Sequence, residues 1–237
     1  MDANSERNPE KVRAMFSQVA HRYDLANTIL SGGIHHLWRR EVVRWSEAKE
    51  GAKVLDCATG TGDLAITFAK KVGERGEVVG TDFCQEMLDT APAKAKEAGA
   101  QIRFTIADVM QLPFPDNYFD VVSISFGIRN VASPQQALRE MARVTKPGGH
   151  VMVLEFGQVE NPVIRGLYEF YSEKVLPKIG GLITGQPQAY NYLQESSRAF
   201  PCRETFVDLM TNTTLLTDCR YRSLSFGVAY IYKGRKI

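Results

Sequence analysis

The chain has 237 residues, 44% of them hydrophobic and 24% charged, an apolar share that supports a packed core and argues against disorder. Lys and Arg number 29 against 27 Asp and Glu, a formal net charge of +2, so no broad cationic surface for nucleic acid is expected. A mean hydropathy of -0.22, with no apolar run of roughly 18 residues, excludes a membrane-spanning helix.

Residues 1–16 alternate charges without an apolar stretch, unlike a secretory leader. Cys57, Cys84, Cys202 and Cys219 form no Cys-x-x-Cys pair, so neither a zinc ribbon nor a disulfide framework is expected. Scattered thiols suit a reducing, cytoplasmic setting. Val12, Phe16, Val19 and Tyr23 behind Pro9 predict an amphipathic helix over 9–23. Ser31-Gly32-Gly33 is a turn, and Ile34, Leu37, Trp38, Val42 and Trp45 predict a second helix over 34–45. The densest basic stretch, His35-His36-Leu37-Trp38-Arg39-Arg40, lies in it and reads as a solvated helix face.

From Lys53 the pattern changes. Short Val- and Ile-rich runs at 53–57, 77–81, 102–106, 120–125 and 151–156 predict strands, with helices near 63–72, 84–98 and 134–144 between them. Apolar strands alternating with helices predict a doubly wound, mostly parallel sheet. Residues 162–215 read as mostly helical and aromatic-rich, and 221–226 with 228–233 as a hairpin around Gly227, which brings the count to seven strands. No linker or repeat divides the chain, so one domain over 1–237 is expected. Within it, 1–50 form N-terminal helices acting as a lid, 51–157 a ligand-binding core, and 158–237 a helical insertion and the last strands.

Val54-Leu55-Asp56-Cys57-Ala58-Thr59-Gly60-Thr61-Gly62 is a strand running into a glycine-rich turn. Gly60 and Gly62 permit a tight turn and close approach of a ligand to the backbone, and the next helix presents free N–H groups. Asp82 closes the second strand about twenty residues later, where an adenosine-binding fold places a carboxylate on the ribose hydroxyls. Asp108, after the third strand, can accept from an adenine amino group. Gly60-x-Gly62-x-x-Ala65 also satisfies the relaxed dinucleotide pattern, which keeps an NAD-dependent oxidoreductase in view. Against that, the only Tyr-x-x-x-Lys pair is Tyr232 with Lys236, on a terminal strand.

Leu112-Pro-Phe-Pro-Asp116, Phe119-Asp120-Val121-Val122 and Arg143-Val144-x-Lys146-Pro147-Gly148-Gly149 resemble the landmarks of class I S-adenosylmethionine-dependent methyltransferases, which have a Rossmann-like α/β fold. Two longer signatures narrow this: Phe16-x-x-Val-Ala20-x-x-Tyr23-Asp24-x-x-Asn27-x-x-x-Ser31-x-Gly33-x-His35-x-x-Trp38-Arg39, and Ser123-Ile-Ser125-Phe126-Gly127-Ile-Arg129-Asn130-Val131. Nearly end to end, the chain resembles the ubiquinone/menaquinone biosynthesis C-methyltransferase family of the UbiE/MenG type. Asp108-Val109 stands where that family often has Asn-Ala, and Thr214-Leu215-Leu216 where it usually has Ala-Gly-Phe.

The resemblance implies S-adenosylmethionine as co-substrate without a metal, with contacts at Gly60, Thr61, Gly62, Asp82, Asp108, Val109 and Ser125. It implies a polyprenylated demethylquinol as acceptor, demethylmenaquinol ahead of the benzoquinol or both. A methyltransferase for another phenol or lipid, and a non-catalytic scaffold, stand as alternatives. Such a substrate lives in the bilayer, so peripheral membrane contact is expected, and a homodimer or quinone-synthesis complex is the expected association. The ring carbon must be made nucleophilic by an adjacent phenolate, and a phenol titrates near ~10. Arg129 is expected to stabilise that anion and Asn130 to orient a ring oxygen, both at the carboxyl edge of the sheet. Tyr23 is expected as a third catalytic residue, at the lid with Asp24, and His35 as a candidate proton acceptor. Tyr168, Phe170, Tyr171, Tyr190, Tyr192 and Phe200 are expected to line a tail groove or to close the core of the cap.

Overall fold

The computed structural model describes residues 9–237. Seven strands form one sheet: β1 Lys53–Cys57, β2 Glu77–Asp82, β3 Arg103–Ile106, β4 Phe119–Ser125, β5 Thr145–Phe156, β6 Leu216–Leu224 and β7 Ala229–Lys236. Their order is β3-β2-β1-β4-β5-β7-β6, parallel through the first five, with β7 antiparallel to both β5 and β6. Chain order reverses between β1 and β4, and the crevice beyond their carboxyl ends is where such sheets bind ligands.

Helices α3 (Ile34–Trp45) and α4 (Asp63–Val72) cover one face of the sheet, burying Trp38, Val42, Leu64 and Phe68 against Val54, Val121 and Met152. On the other face α7 (Pro134–Val144) and α11 (Glu204–Thr211) bury Leu138, Met141, Phe206 and Met210 against Leu55, Val122 and Tyr232. Strands sandwiched this way must be apolar on both sides, which is why they read as continuous Val/Ile/Leu runs.

The first helix does not run to residue 23. It stops as α1 (Pro9–Val19), passes a 3-10 turn at Ala20–Arg22 and restarts as α2 (Tyr23–Ser31). The break buries Ala20 against Cys84 and Met87 and sets the Tyr23 ring edge-on to Phe16 at 6.1 Å. The helix expected over 84–98 divides into α5 (Gln85–Leu88) and α6 (Ala91–Glu97). Pro92 has no N–H for the Leu88 carbonyl, so one continuous helix is not available. β5 begins six residues before position 151, because Thr145 already pairs with Phe119 ahead of an irregularity that re-registers Val121 on His150. Thr214 takes φ 61°, so the turn before β6 is kept with a β-branched residue in the left-handed region.

The basic stretch of α3 is divided: His36, Leu37 and Arg40 are exposed as expected, whereas His35, Trp38 and Arg39 are buried. Beyond β5 come α8 (Pro162–Phe170), a π turn at Tyr171–Val175, α9 (Leu176–Thr184) and α10 (Pro187–Ala199). The widened turn lies just ahead of Pro177, whose missing N–H breaks the helical ladder. Among the described residues no helix is long and apolar enough to cross a membrane.

Candidate active site

Beyond β1 the chain reverses with Ala58, Gly60 and Gly62 at φ 47°, 57° and 88°. The turn holds the backbone against its neighbours: a Cβ on Gly62 would lie 3.1 Å from the Phe104 ring, and one on Gly127 only 2.6 Å from Ala58 Cβ. Asp82, at the end of β2, accepts from Gly60 N–H at 2.8 Å and Cys84 N–H at 2.9 Å, which leaves lone pairs on both oxygens. Burial raises its pKa despite those backbone bonds.

Gly60, Asp82, Asp108, Val109, Ser125 and Asn130 line a slot of about 100 Å³ roofed by Phe16 and Tyr23. Of the residues expected to hold the co-substrate, Thr61 and Gly62 do not line the slot. Thr61 Oγ1 donates to Asp24 at 2.6 Å and accepts from Lys94 Nζ at 3.2 Å, so its side chain ties down the lid.

A second cavity of about 330 Å³ lies between α2, α3 and the helices after β5. It shares Phe16, Tyr23 and Phe126 with the slot, so the two spaces meet at these rings. Tyr168, Tyr171, Tyr190 and Tyr192 line it as expected, whereas Phe170 is exposed and Phe200 packs on Phe206 in the core. Burial raises the pKa of Tyr23, Tyr168, Tyr171 and Tyr190, which keeps these phenols neutral near pH 7.

Arg129 reaches this cavity from the 3-10 turn Ile128–Asn130 after β4. Its Nη1 donates to Glu155 Oε1 at 2.7 Å and to Phe126 O at 2.6 Å, and both side chains of the ion pair are buried. Glu155 is an ionisable residue within the otherwise apolar run Val151–Phe156, the one signal in the sequence for a buried charge at this edge of the sheet. Asn130 faces the slot rather than the second cavity, and its Oδ1 accepts from Tyr192 OH at 3.1 Å. Through Tyr192, which lines the second cavity, it touches both spaces.

Among the described residues, the buried side-chain polar atoms without a hydrogen-bond partner are Ser31 Oγ, Ser125 Oγ and Arg129 Nε. Ser125 lines the slot, and Ser31 and Arg129 line the second cavity. An unpaired buried polar group costs roughly 1–3 kcal/mol, so each of these atoms calls for a polar partner, water or ligand, from the cavity that it lines.

Below the lid, Lys94 Nζ bonds Asp24 and Asp63, each at 2.5 Å, and Arg39 pairs with Asp63 at 3.2 Å. Burial opposes ionisation of Asp63, but Arg39 and Lys94 outweigh it and hold the carboxyl below its usual pKa. His35 is not placed as a free base. Arg39 Nη1 donates to its Nδ1, so Nε2 carries the proton and faces Thr28 Oγ1 at 3.3 Å. Burial and then Arg39 lower its pKa to about 4, leaving it neutral and weakly basic. His35, His36 and Asp63 come within 4.8 Å of one another, yet a metal there would have to displace Arg39 from two partners and Lys94 from one.

The family model described as ubiE/COQ5 methyltransferase family matches residues 2–236. The chain is 62% identical over 232 residues to the ubiquinone/menaquinone biosynthesis C-methyltransferase UbiE of Bdellovibrio bacteriovorus, covering 98% of each chain. It is 42% identical to the protein of the same name from Roseobacter denitrificans, covering 96% of this chain and 91% of that one. Among solved structures it is similar to a SAM-dependent methyltransferase, possibly a histamine N-methyltransferase, from Thermotoga maritima. The TM-score is 0.65 at 18% identity, over 94% of this chain and 99% of that one. A SAM-dependent methyltransferase from Aquifex aeolicus matches with TM-score 0.55 and 20% identity, over 84% and 89% of the two chains. These two support the class I methyltransferase fold.

Proposed function

The chain belongs to the ubiE/COQ5 methyltransferase family, and we propose that its two joined cavities bring a methyl donor and a quinol ring together at Tyr23 and Phe126. It is an S-adenosylmethionine-dependent C-methyltransferase of ubiquinone/menaquinone biosynthesis. The observation that carries the site assignment is the distribution of the three unpaired polar atoms, one in the slot and two in the second cavity.

S-adenosylmethionine supplies a sulfonium methyl as the electrophile. Asp82 is placed to bind the ribose hydroxyls, Asp108 to accept from the adenine amine, and Ser125 Oγ to complete its hydrogen bond on the nucleoside. In the second cavity Arg129 Nε and Ser31 Oγ offer two polar contacts to the oxygens of the acceptor ring. Glu155 balances most of Arg129's charge, so stabilisation of the phenolate comes from a directed N–H bond rather than from net field. Phe16, Tyr23 and Phe126 exclude water from the junction and hold the reactants in line, an orientation effect. With His35 Nδ1 engaged by Arg39 and the tyrosines neutral, these side chains position and exclude water rather than take the phenolic proton.

We take demethylmenaquinol as the acceptor, with the equivalent benzoquinol step as the second reading. The test is complementation of strains lacking quinone methylation, followed by mass spectrometry of both quinone classes. Restored methylation with the wild type, lost with Arg129→Ala at unchanged donor affinity, is the expected result. Near-normal turnover of Arg129→Ala overturns the assignment of the phenolate contact.

A further inference from the structure

The wall of the second cavity is apolar on its outer side as well. α8 is a nine-residue, largely apolar helix in which no residue is buried. Its Val163, Leu167 and Phe170 follow i, i+4, i+7 spacing along one face and are 73%, 70% and 65% exposed. Leu182 of α9 is 86% exposed, and Leu25 and Ile29 of α2 are more than half exposed. These helices adjoin: Arg22 donates to Ile183 O at 2.6 Å, and the Tyr171 hydroxyl donates to Leu30 O. Leu30, Tyr168 and Tyr171, on the same layer, line the cavity. A helix layer apolar on both sides is the pattern of a surface that meets a second apolar phase.

The charges along it are mixed, and the unpaired ones are cationic. Glu169 and Glu173 turn to Arg198 of α10, at 3.9 and 2.6 Å. Lys174 and Lys178 are exposed on the same stretch of chain, and no described acidic side chain pairs with either. With Arg22 they form a cationic rim. An anionic lipid surface complements these unpaired lysines.

We propose that this face docks on an anionic bilayer. Leu25, Ile29, Val163, Leu167, Phe170 and Leu182 enter the acyl boundary, and Lys174 and Lys178 lie among the headgroup phosphates, their stems against the apolar surface. A polyprenyl tail then has a single helix layer between the bilayer and the second cavity. The tail route rests on the quinol reading; the docking rests on the face alone.

The test is co-sedimentation of the full chain with vesicles of phosphatidylcholine, alone or with about a third phosphatidylglycerol. The wild type is expected to bind both, and the anionic vesicles more tightly by roughly fivefold per lysine. Leu167→Glu with Phe170→Glu is expected to weaken binding to both at least about tenfold, since each buried acyl contact is lost. Lys174→Glu with Lys178→Glu is expected to abolish only the anionic preference. Both variants change exposed residues, so melting and methylation of a short-tailed acceptor in solution are expected to stay unchanged. Equal vesicle binding by the wild type and Leu167→Glu/Phe170→Glu overturns the proposal. So does a wild-type dimer that binds no vesicles and dissociates with that variant, which would assign the face to a second copy. Vesicle binding requires no turnover, so its failure and failure of the methyl-transfer reading are separate results.

Discussion

Glu155→Gln removes one charge from the buried Arg129–Glu155 pair while keeping side-chain volume. The two groups are 2.7 Å apart with side-chain exposures of 6% and 1%, so the arginine would be left as a charge with little access to water. Breaking a buried pair costs about 3–5 kcal/mol, and a glutamine that still accepts from Phe156 N–H puts the expectation near about 3 kcal/mol. For a chain of this length about 3 kcal/mol lowers the melting temperature by roughly 6–12 °C. Because Glu155 does not line the slot, donor affinity is expected to hold while kcat falls as Arg129 loses its orientation. Calorimetric melting, donor titration and steady-state kinetics read these separately. Arg129→Met combined with Glu155→Gln should be less destabilising than the sum of the two, because the second change removes the charge stranded by the first. A melting temperature within about 2 °C of wild type, with kcat unchanged, would refute the reasoning that the pair holds Arg129 in place.

Asp82→Asn should weaken binding of S-adenosylhomocysteine by roughly 10- to 100-fold in calorimetric titration, the worth of one charged hydrogen bond. Ser31→Ala should raise KM for the acceptor by roughly 3- to 10-fold, the worth of one neutral bond, without changing donor affinity. Lys94→Met should cost no more than about 1 kcal/mol globally, since the group is part-exposed, yet speed proteolysis within residues 9–31 by releasing Asp24. Two buried groups oppose each other in acid. His35, lowered from 6.5 to about 4, contributes stability that is lost as pH falls through that window. Asp56, raised by burial from 3.8 to about 6 despite its bonds from Thr59 and Ser123, contributes stability that is lost as pH rises through its window. Urea denaturation from pH 4 to 7 should therefore show Asp56→Asn more acid-sensitive than wild type and His35→Gln less so; the reverse order would overturn these signs.

The slot was legible from the sequence because its makers are local. The Gly60–Gly62 turn, Asp82, Asp108 and Ser125 each close a strand, and strands of a parallel sheet end at one edge. Position in a motif does not show what a side chain already binds, and the Thr61 hydroxyl binds Asp24 and Lys94. Nor does sequence show that one residue along a 3-10 turn separates Asn130, lining the slot, from Arg129, lining the second cavity. The basic stretch of α3 showed its helix but not its burial, because Arg39 becomes admissible inside only once Asp63 arrives from the far side of the glycine turn.

What the sequence by itself determined is the set of relations carried within about thirty residues: strand–turn–helix units, the strand count, the glycine turn with its carboxylate, and the family signatures. Apolar periodicity and backbone stereochemistry act over that range. What only the tertiary structure decided is which distant groups share a space. Ser31, Arg129, Phe156 and Tyr168 come from four separate segments, and their meeting at one cavity depends on sheet order and on how two helical layers close. The apolar face of α2, α8 and α9 is of the same kind: that no other described residue covers it follows from how the helices pack, which their own sequences do not show.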